Sequence, residues 1–237
     1  MKNSKLFEEM LQESESVFVG MEQSAFYTTL VAGTLSSSVR QSFIEQDQRY
    51  LRKYTEAVRE VATRLSSTAY YNYYEKESLH LTQFALRLDA YVEFLQTTGT
   101  LFQPRIVVSG VIVDYTRHLY VTTKHGSIEA ALACLTPCLY IYHRRLGEKM
   151  KALGCAADHP DRTLLESFID PEFVSDALAL ETMLNAATTP MESTSDDRAA
   201  EVKTAFSRSA AFELAFFEYL ASSTPEAVDK SVHVASL

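Results

Sequence analysis

The sequence predicts an all-α protein that folds as a single domain. Seven glycines and six prolines in 237 residues are about half of the usual ~12%, which disfavours an all-β protein with its regularly spaced turns. Apolar residues make up 46% of the chain and recur at helical spacing along most of it. We predict seven to nine helices within residues 1–221, followed by a loose C-terminal tail over 222–237.

Four helices are predicted in the first half of the chain from apolar residues three and four positions apart. The first begins near Leu6, and the second ends at Gly33, a residue suited to the left-handed position after a helix. Ser36 or Ser37 caps a long third helix. The fourth covers about 67–97.

The second half continues the helical pattern after one ambiguous segment. Residues 106–115 are rich in β-branched side chains, but an isolated strand would have no partner, so we predict a helix from Ser109. A helix from Ser127 ends before Gly154, and Asp170 with Pro171 starts the next one. Residues 188–197 form a connector, and a last helix covers about 197–221.

Charge and composition narrow the classes of partner and compartment. The net charge of −9 has the wrong sign for binding nucleic acid or an anionic membrane. The longest apolar run, 106–113, is far shorter than the ~20 residues that span a bilayer, and residues 1–20 lack the apolar core of a signal peptide. We expect a cytoplasmic protein whose three cysteines are reduced thiols.

Two carboxylates occupy positions where the helical pattern calls for apolar residues. Asp47 lies four residues after Phe43 and three before Tyr50, and Glu213 stands on a similar stripe of the last helix. A carboxyl in apolar surroundings has a raised pKa, as a general acid at neutral pH requires. The alternative for each is a structural carboxylate paired with a cation or, for Asp47, a helix terminus.

Cys138 lies on a third apolar stripe, directly after Pro137. A proline inside a helix removes one amide donor, so a kink is expected just before the thiol. The thiol is either a nucleophile in a locally irregular site or an inert, small apolar side chain. Glu77 and His80 form a single Glu-x-x-His motif, whereas ferritin-like di-iron bundles have two; a surface pair is the simpler interpretation, and no metal site is predicted.

Four segments, in order along the chain, resemble the TenA family, the thiaminase II enzymes of thiamin salvage. The Asp114–Leu119 segment is similar to the family's Ala-Tyr-Thr-x-His-Leu, and Leu135–Tyr142 to its Leu-x-Pro-Cys-x-x-x-Tyr. The early signature is matched by Gly33–Leu35 with Phe43–Leu51, and the closing Tyr-Glu-x-x-Phe-Trp motif by Phe212–Phe217.

The resemblance implies a haem-oxygenase-like helical bundle, usually a homotetramer, that needs no metal or organic cofactor. The family's typical reaction replaces an amine on the methylene group of an aminopyrimidine, or the thiazole of thiamin, with hydroxide. By position, Cys138 would be the nucleophile and Glu213 would hold a ring nitrogen and shuttle the proton. The implied substrate-binding residues are Asp47 at the exocyclic amine, Tyr50 and Phe216 as a ring sandwich, and the hydroxyls of Tyr115 and Tyr142.

The sequence also departs from the family pattern. Phe168 also falls at a substrate-binding position, but it stands where the family has a tyrosine whose hydroxyl lies near the cysteine. Leu164 and Phe217 stand where the family has tryptophans, and Phe212 replaces a tyrosine. These departures leave open an alternative: a catalytically diverged pyrimidine-binding or regulatory protein. A remote third option, resting only on Glu77 and His80, is an iron-dependent oxygenase.

Overall fold

The structure, a computed structural model, describes residues 3–67, 71–98, 108–154, 156–193 and 197–222. Over these ranges the chain is helical and contains no strand, as predicted. The α-helices are α1 (Lys5–Glu13), α2 (Glu15–Gln23), α3 (Ala25–Val31), α4 (Ser37–Leu65), α5 (Tyr71–Thr98), α6 (Gly110–His125), α7 (Ile128–Tyr140), α8 (Glu148–Leu153), α9 (Arg162–Ser167), α10 (Pro171–Thr188) and α11 (Asp197–Ser222). Cys155 and the predicted tail from 223 onward lie outside the described residues.

The N-terminal region contains three short helices where the sequence predicted two. The break before α3 is made by Ser24, whose hydroxyl accepts a hydrogen bond from the amide of Tyr27 and so caps a new helix. The predicted cap of α4 is confirmed, because the Ser36 hydroxyl accepts from the amide of Val39. Gly33 has a φ of 69°, the left-handed conformation expected of it.

The later predicted helix starts are also confirmed. Ser109 caps α6, and Asp170 caps α10 with Pro171 in the first turn. The helix predicted to run to residue 153 is instead divided: α7 continues through Pro137, and a π-helical turn, Ile141–Gly147, separates it from α8. Missing from the prediction altogether was α9, a helix of only six residues.

Helix α7 lies at the centre of the fold. All of its residues from Ala130 to Leu139 are buried, which is typical of a helix enclosed on every side. It packs against α4, α6, α10 and α11, while α5 packs against α4 and α10. In the described part of the chain, no helix is long and apolar enough to cross a membrane.

Candidate active site

A cavity of about 190 Å³ lies beside the C-terminal half of α7. Its mouth includes the exposed residues Asp170 and Glu172 at the start of α10, and its inner end reaches the buried Asp47 and Cys138. Most of the wall between them is apolar or aromatic. These wall residues are Leu51, Tyr54, Phe84, Leu88, Tyr91, Leu139, Tyr142, Phe168 and Phe173.

The eight site residues predicted from the sequence fall into two groups. Four of them line the cavity: Asp47, Cys138, Tyr142 and Phe168. The other four are not among the lining residues and are buried within the helix bundle: Tyr50, Tyr115, Glu213 and Phe216. Cys138 interacts with residues of both groups, because the Asp47 and Glu213 carboxyls raise the pKa of its thiol and the Tyr50 hydroxyl lowers it.

Glu213 has a hydroxyl partner rather than a cation. Its Oε1 accepts a hydrogen bond of 2.9 Å from the hydroxyl of Tyr115. Burial raises the pKa of Glu213 to about 7, although the hydrogen bond from Tyr115 and the nearby side chains of Cys138 and Tyr50 act in the opposite direction. In the described chain Glu213 forms no ion pair, so the structural ion-pair alternative finds no support there.

Asp47 is a buried carboxyl without a hydrogen-bonding partner in the described residues. Its side chain lines the cavity, and the residue is only 8% exposed. Burial raises the pKa of Asp47 to about 8, and the negative charge of Glu213 adds to that effect. The carboxyl is therefore protonated at neutral pH, and both of its oxygens remain free to contact a molecule in the cavity.

The Cys138 thiol is protonated in the free protein. Burial raises its pKa well above the usual value, and the Glu213 carboxylate raises it further. The Tyr50 hydroxyl lowers the pKa of the thiol, yet that hydroxyl makes no hydrogen bond of ordinary geometry to any described residue. A nucleophilic role would therefore require transfer of the thiol proton to a base.

The two rings expected to sandwich a ligand lie apart from the cavity lining. Tyr50 packs on Tyr115, with ring centroids 4.6 Å apart and an interplanar angle of 32°. Phe216 stacks on Phe43 at 6.0 Å and 27°. Aromatic contacts whose two rings do line the cavity include that of Tyr142 with Phe168, with ring centroids 4.9 Å apart.

Sequence reasoning missed a charged wall of the cavity. Arg87 on α5 binds Asp176 on α10 through two nitrogens, and Nε2 of His80 lies 3.0 Å from Oδ1 of the same carboxylate. Asp176 is 2% exposed. The signal was available, because Asp176 shares a helix face with Leu180 and Met183 just as Asp47 does with its apolar neighbours. His80 thus lies against the Asp176 carboxylate, and in the described residues no hydrogen bond or salt bridge joins it to Glu77.

A second polar cluster surrounds Cys134, one turn before Cys138. Nε2 of His118 lies 3.4 Å from the Cys134 sulfur and 3.1 Å from the hydroxyl of Ser209. Ser209 donates to the carbonyl of Cys134 at 2.8 Å. Burial lowers the pKa of His118 to about 4 and raises that of Cys134 to about 12, so both groups are neutral at pH 7. None of the three residues lines the cavity.

Backbone carbonyls of α7 near the thiol accept hydrogen bonds from side chains of other helices. The hydroxyl of Tyr54 donates to the carbonyl of Leu135 at 2.8 Å, complementing the Ser209 contact one residue earlier. The π-helical turn that follows carries Tyr142 to the cavity. Such turns are frequent at functional sites. Across the described ranges, no group of three His, Cys, Asp or Glu side chains is arranged to hold a metal ion.

Comparison with known proteins gives consistent results over most of the chain. An uncharacterized protein of Haemophilus influenzae is 22% identical over 217 residues, which are 90% of this chain and 97% of that protein. A solved structure described as a TenA family transcription regulator from Silicibacter sp. TM1040 has a TM-score of 0.77 at 19% identity, covering 93% of this chain and 98% of the other.

A TenA homologue from P. horikoshii OT3 has a TM-score of 0.74 at 17% identity and covers 91% of this chain and 98% of its own. The helical, haem-oxygenase-like fold of these TenA proteins is therefore the fold of this chain. The sequence profile of the TENA/THI-4/PQQC family matches residues 25–222. With a match over most of its length, the chain belongs to the TENA/THI-4/PQQC family.

Proposed function

We propose that the protein is an aminopyrimidine aminohydrolase of the thiaminase II type. The observation that carries the proposal is the arrangement of one thiol between two carboxyls of raised pKa: Cys138 lies at the inner end of the cavity, with Asp47 beside it in the lining and Glu213 behind it. Two acids whose pKa values lie near neutrality provide the proton donor and acceptor that hydrolysis at pH 7 needs.

The size of the cavity suits a single heteroaromatic ring. An apolar cavity of about 150 Å³ admits benzene, so about 190 Å³ has room for a pyrimidine with small substituents. If thiamin is the substrate, its thiazole has to lie toward the mouth near Glu172. The proposal therefore covers both a degraded aminopyrimidine and thiamin.

Protonated Asp47 complements one edge of an aminopyrimidine. One oxygen accepts from the exocyclic amine, and the other, carrying the proton, donates to the adjacent ring nitrogen. An ionised carboxylate could make only the first of these bonds. Because its pKa is raised, the protonated Asp47 carboxyl can recognise the ring and draw electron density toward the ring nitrogen.

The reaction would proceed through a covalent adduct with Cys138. The Glu213 carboxylate takes the thiol proton as sulfur adds to an electron-poor ring carbon, and the electron pair moves to a ring nitrogen. The carbon–nitrogen bond of the methylene group then breaks as Glu213 gives this proton to the departing amine, which leaves as ammonia. Water supplies hydroxide to the methylene carbon, the carbon–sulfur bond breaks, and the thiol regains a proton. The net change is aminomethylpyrimidine plus water to hydroxymethylpyrimidine plus ammonia, with no metal or organic cofactor.

Ammonia release from aminomethylpyrimidine tests the proposal directly. We expect Cys138→Ala to abolish turnover, whereas Cys134→Ala, which removes a buried thiol outside the cavity lining, should retain it. Circular dichroism and thermal melting check that both variants fold. If the wild type releases no more ammonia than Cys138→Ala, the proposed activity is wrong.

A second candidate function is pyrimidine binding without turnover, as in a regulatory protein. It is favoured by Phe168, which offers no hydroxyl near the thiol, and by the raised pKa of Cys138. Calorimetry that detects pyrimidine binding by a protein with no ammonia release would select this candidate, and measured turnover would eliminate it.

Self-association into a homotetramer is also a proposal. Two helices carry exposed apolar side chains of the kind that mark association surfaces. They are Leu79, Leu86 and Phe94 on α5, and Val113, Tyr120 and Val121 on α6. Light scattering of the purified protein measures the oligomeric state, and a monomer at micromolar concentration would contradict the proposal.

A further inference from the structure

One hydroxyl in the cavity lining has no strong partner and no role in the proposed reaction. Tyr91 lies on α5, and its hydroxyl contacts the hydroxyl of Ser167 at 3.5 Å. Hydroxyl hydrogen bonds are usually about 2.7–2.8 Å long, so this contact is weak. In the part of the chain that the structure describes, no other hydrogen bond engages the Tyr91 side chain.

The neighbouring Ser167 cannot use Tyr91 as an acceptor. Its single hydroxyl proton is donated to the carbonyl of Leu164 at 2.6 Å. Tyr91 is therefore the donor in the weak contact, and its proton can be given to a better acceptor without leaving Ser167 unsatisfied. A ligand atom in the cavity would be such an acceptor.

Tyr91 lines the same cavity as Asp47 and Tyr142, two polar residues that have no hydrogen-bonding partner among the described residues. Burial raises the pKa of Tyr91, with a further contribution from the Asp47 carboxylate. Tyr91 in turn contributes to the raised pKa of Tyr142, whose buried hydroxyl makes no hydrogen bond to a described residue. Asp47, Tyr91 and Tyr142 thus line the same cavity, and each has hydrogen-bonding capacity that the described residues do not use.

We propose that Tyr91 is a specificity-determining residue that binds the polar substituent on the methylene group of the ligand. This inference rests on the proposed function, in which Asp47 holds the exocyclic amine of the ring. The methylene group is attached to the ring carbon next to the one bearing that amine, so its substituent lies next to the amine, on the side away from the ring nitrogen that Asp47 binds. The Tyr91 hydroxyl on α5 then provides a hydrogen-bond donor in the cavity lining, which Phe168 cannot provide.

Calorimetry with two ligands tests this assignment. We compare hydroxymethylpyrimidine, which has a hydroxyl on the methylene group, with 4-amino-2,5-dimethylpyrimidine, which has only a methyl group there. Tyr91→Phe should weaken binding of the first ligand about 3- to 10-fold, the usual effect of one hydrogen bond. Binding of the second should change by less than about twofold.

A structural role for Tyr91 would give a different result. Loss of packing or of fold would weaken both ligands equally, so equal losses, or no loss for either, would overturn the assignment. Tyr27→Phe is the matched control, because it also removes a buried tyrosine hydroxyl, one that donates to the carbonyl of Arg145 at 3.0 Å outside the cavity lining. If the wild type binds neither pyrimidine, the proposed function is wrong, and this inference, which rests on it, is wrong as well.

Discussion

Replacing Glu213 with glutamine should change how the free energy of unfolding varies with pH. Glu213 is buried, and its pKa is raised from 4.5 to about 7. The folded protein therefore holds a proton on this carboxyl at pH values where the unfolded chain has already lost it. Stability from this group is complete below pH 4.5 and is lost as the pH rises through about 7.

The pKa shift sets the size of the effect. Each pH unit between the unfolded and folded pKa values changes stability by about 1.4 kcal/mol. From pH 4.5 to about 7, the wild type should lose about 3 kcal/mol that the glutamine variant does not lose. Glutamine has the same shape, stays neutral, and can still accept the hydrogen bond from Tyr115.

Urea unfolding of the two proteins at several pH values between about 4.5 and 7 measures this difference. Carboxylates that do not interact with Glu213 affect both proteins alike, so only the difference between the two proteins is interpreted; this difference also contains the effect of the Glu213 charge on Asp47. Glu218→Gln, an exposed position on the same helix, controls for the loss of one negative charge. If the difference in unfolding free energy between wild type and Glu213→Gln stays constant with pH, burial does not raise the pKa of the Glu213 carboxyl in the folded protein.

Two further predictions concern the proposed reaction. The pH profile of kcat/KM for ammonia release should be bell-shaped, rising near pH 7 as Glu213 ionises and falling near pH 8 as Asp47 loses its proton. Because the two carboxyls interact, the two apparent pKa values of the profile belong to the pair and not to either residue alone. A flat profile over this range would contradict the assignment. Tyr115→Phe removes a hydrogen bond that lowers the pKa of Glu213, so the acidic limb should move to higher pH; a limb that stays in place or moves lower would show that the bond does not control ionisation.

The polar residues at the centre of the site could be predicted from helical periodicity. Asp47, Cys138 and Glu213 each stand where an apolar side chain was expected, and each is buried. A polar group on such a stripe costs free energy unless something compensates for it, so the pattern itself indicates a special role. Helix starts were predicted for a related reason, because capping at Ser36, Ser109 and Asp170 depends on local hydrogen bonds.

Periodicity did not predict which helices meet at the cavity. It did not identify the pair of Arg87 on α5 and Asp176 on α10, two residues that are 89 positions apart in the sequence. The family resemblance, not periodicity, implied that Tyr50 and Phe216 sandwich the ligand; in the structure these rings pack on Tyr115 and Phe43 and are not among the residues that line the cavity. Contacts between distant segments depend on how whole helices pack, which the spacing within one helix does not determine.

The amino-acid sequence by itself determined the helical class, the inward face of each long helix, and the presence of a thiol and two acids on those faces. Only the tertiary structure decided their protonation. The pKa of a carboxyl or thiol depends on how completely other helices exclude water and on which charges they bring near. For Asp47, Cys138 and Glu213, burial by several helices is the largest contribution, and that burial exists only in the folded bundle.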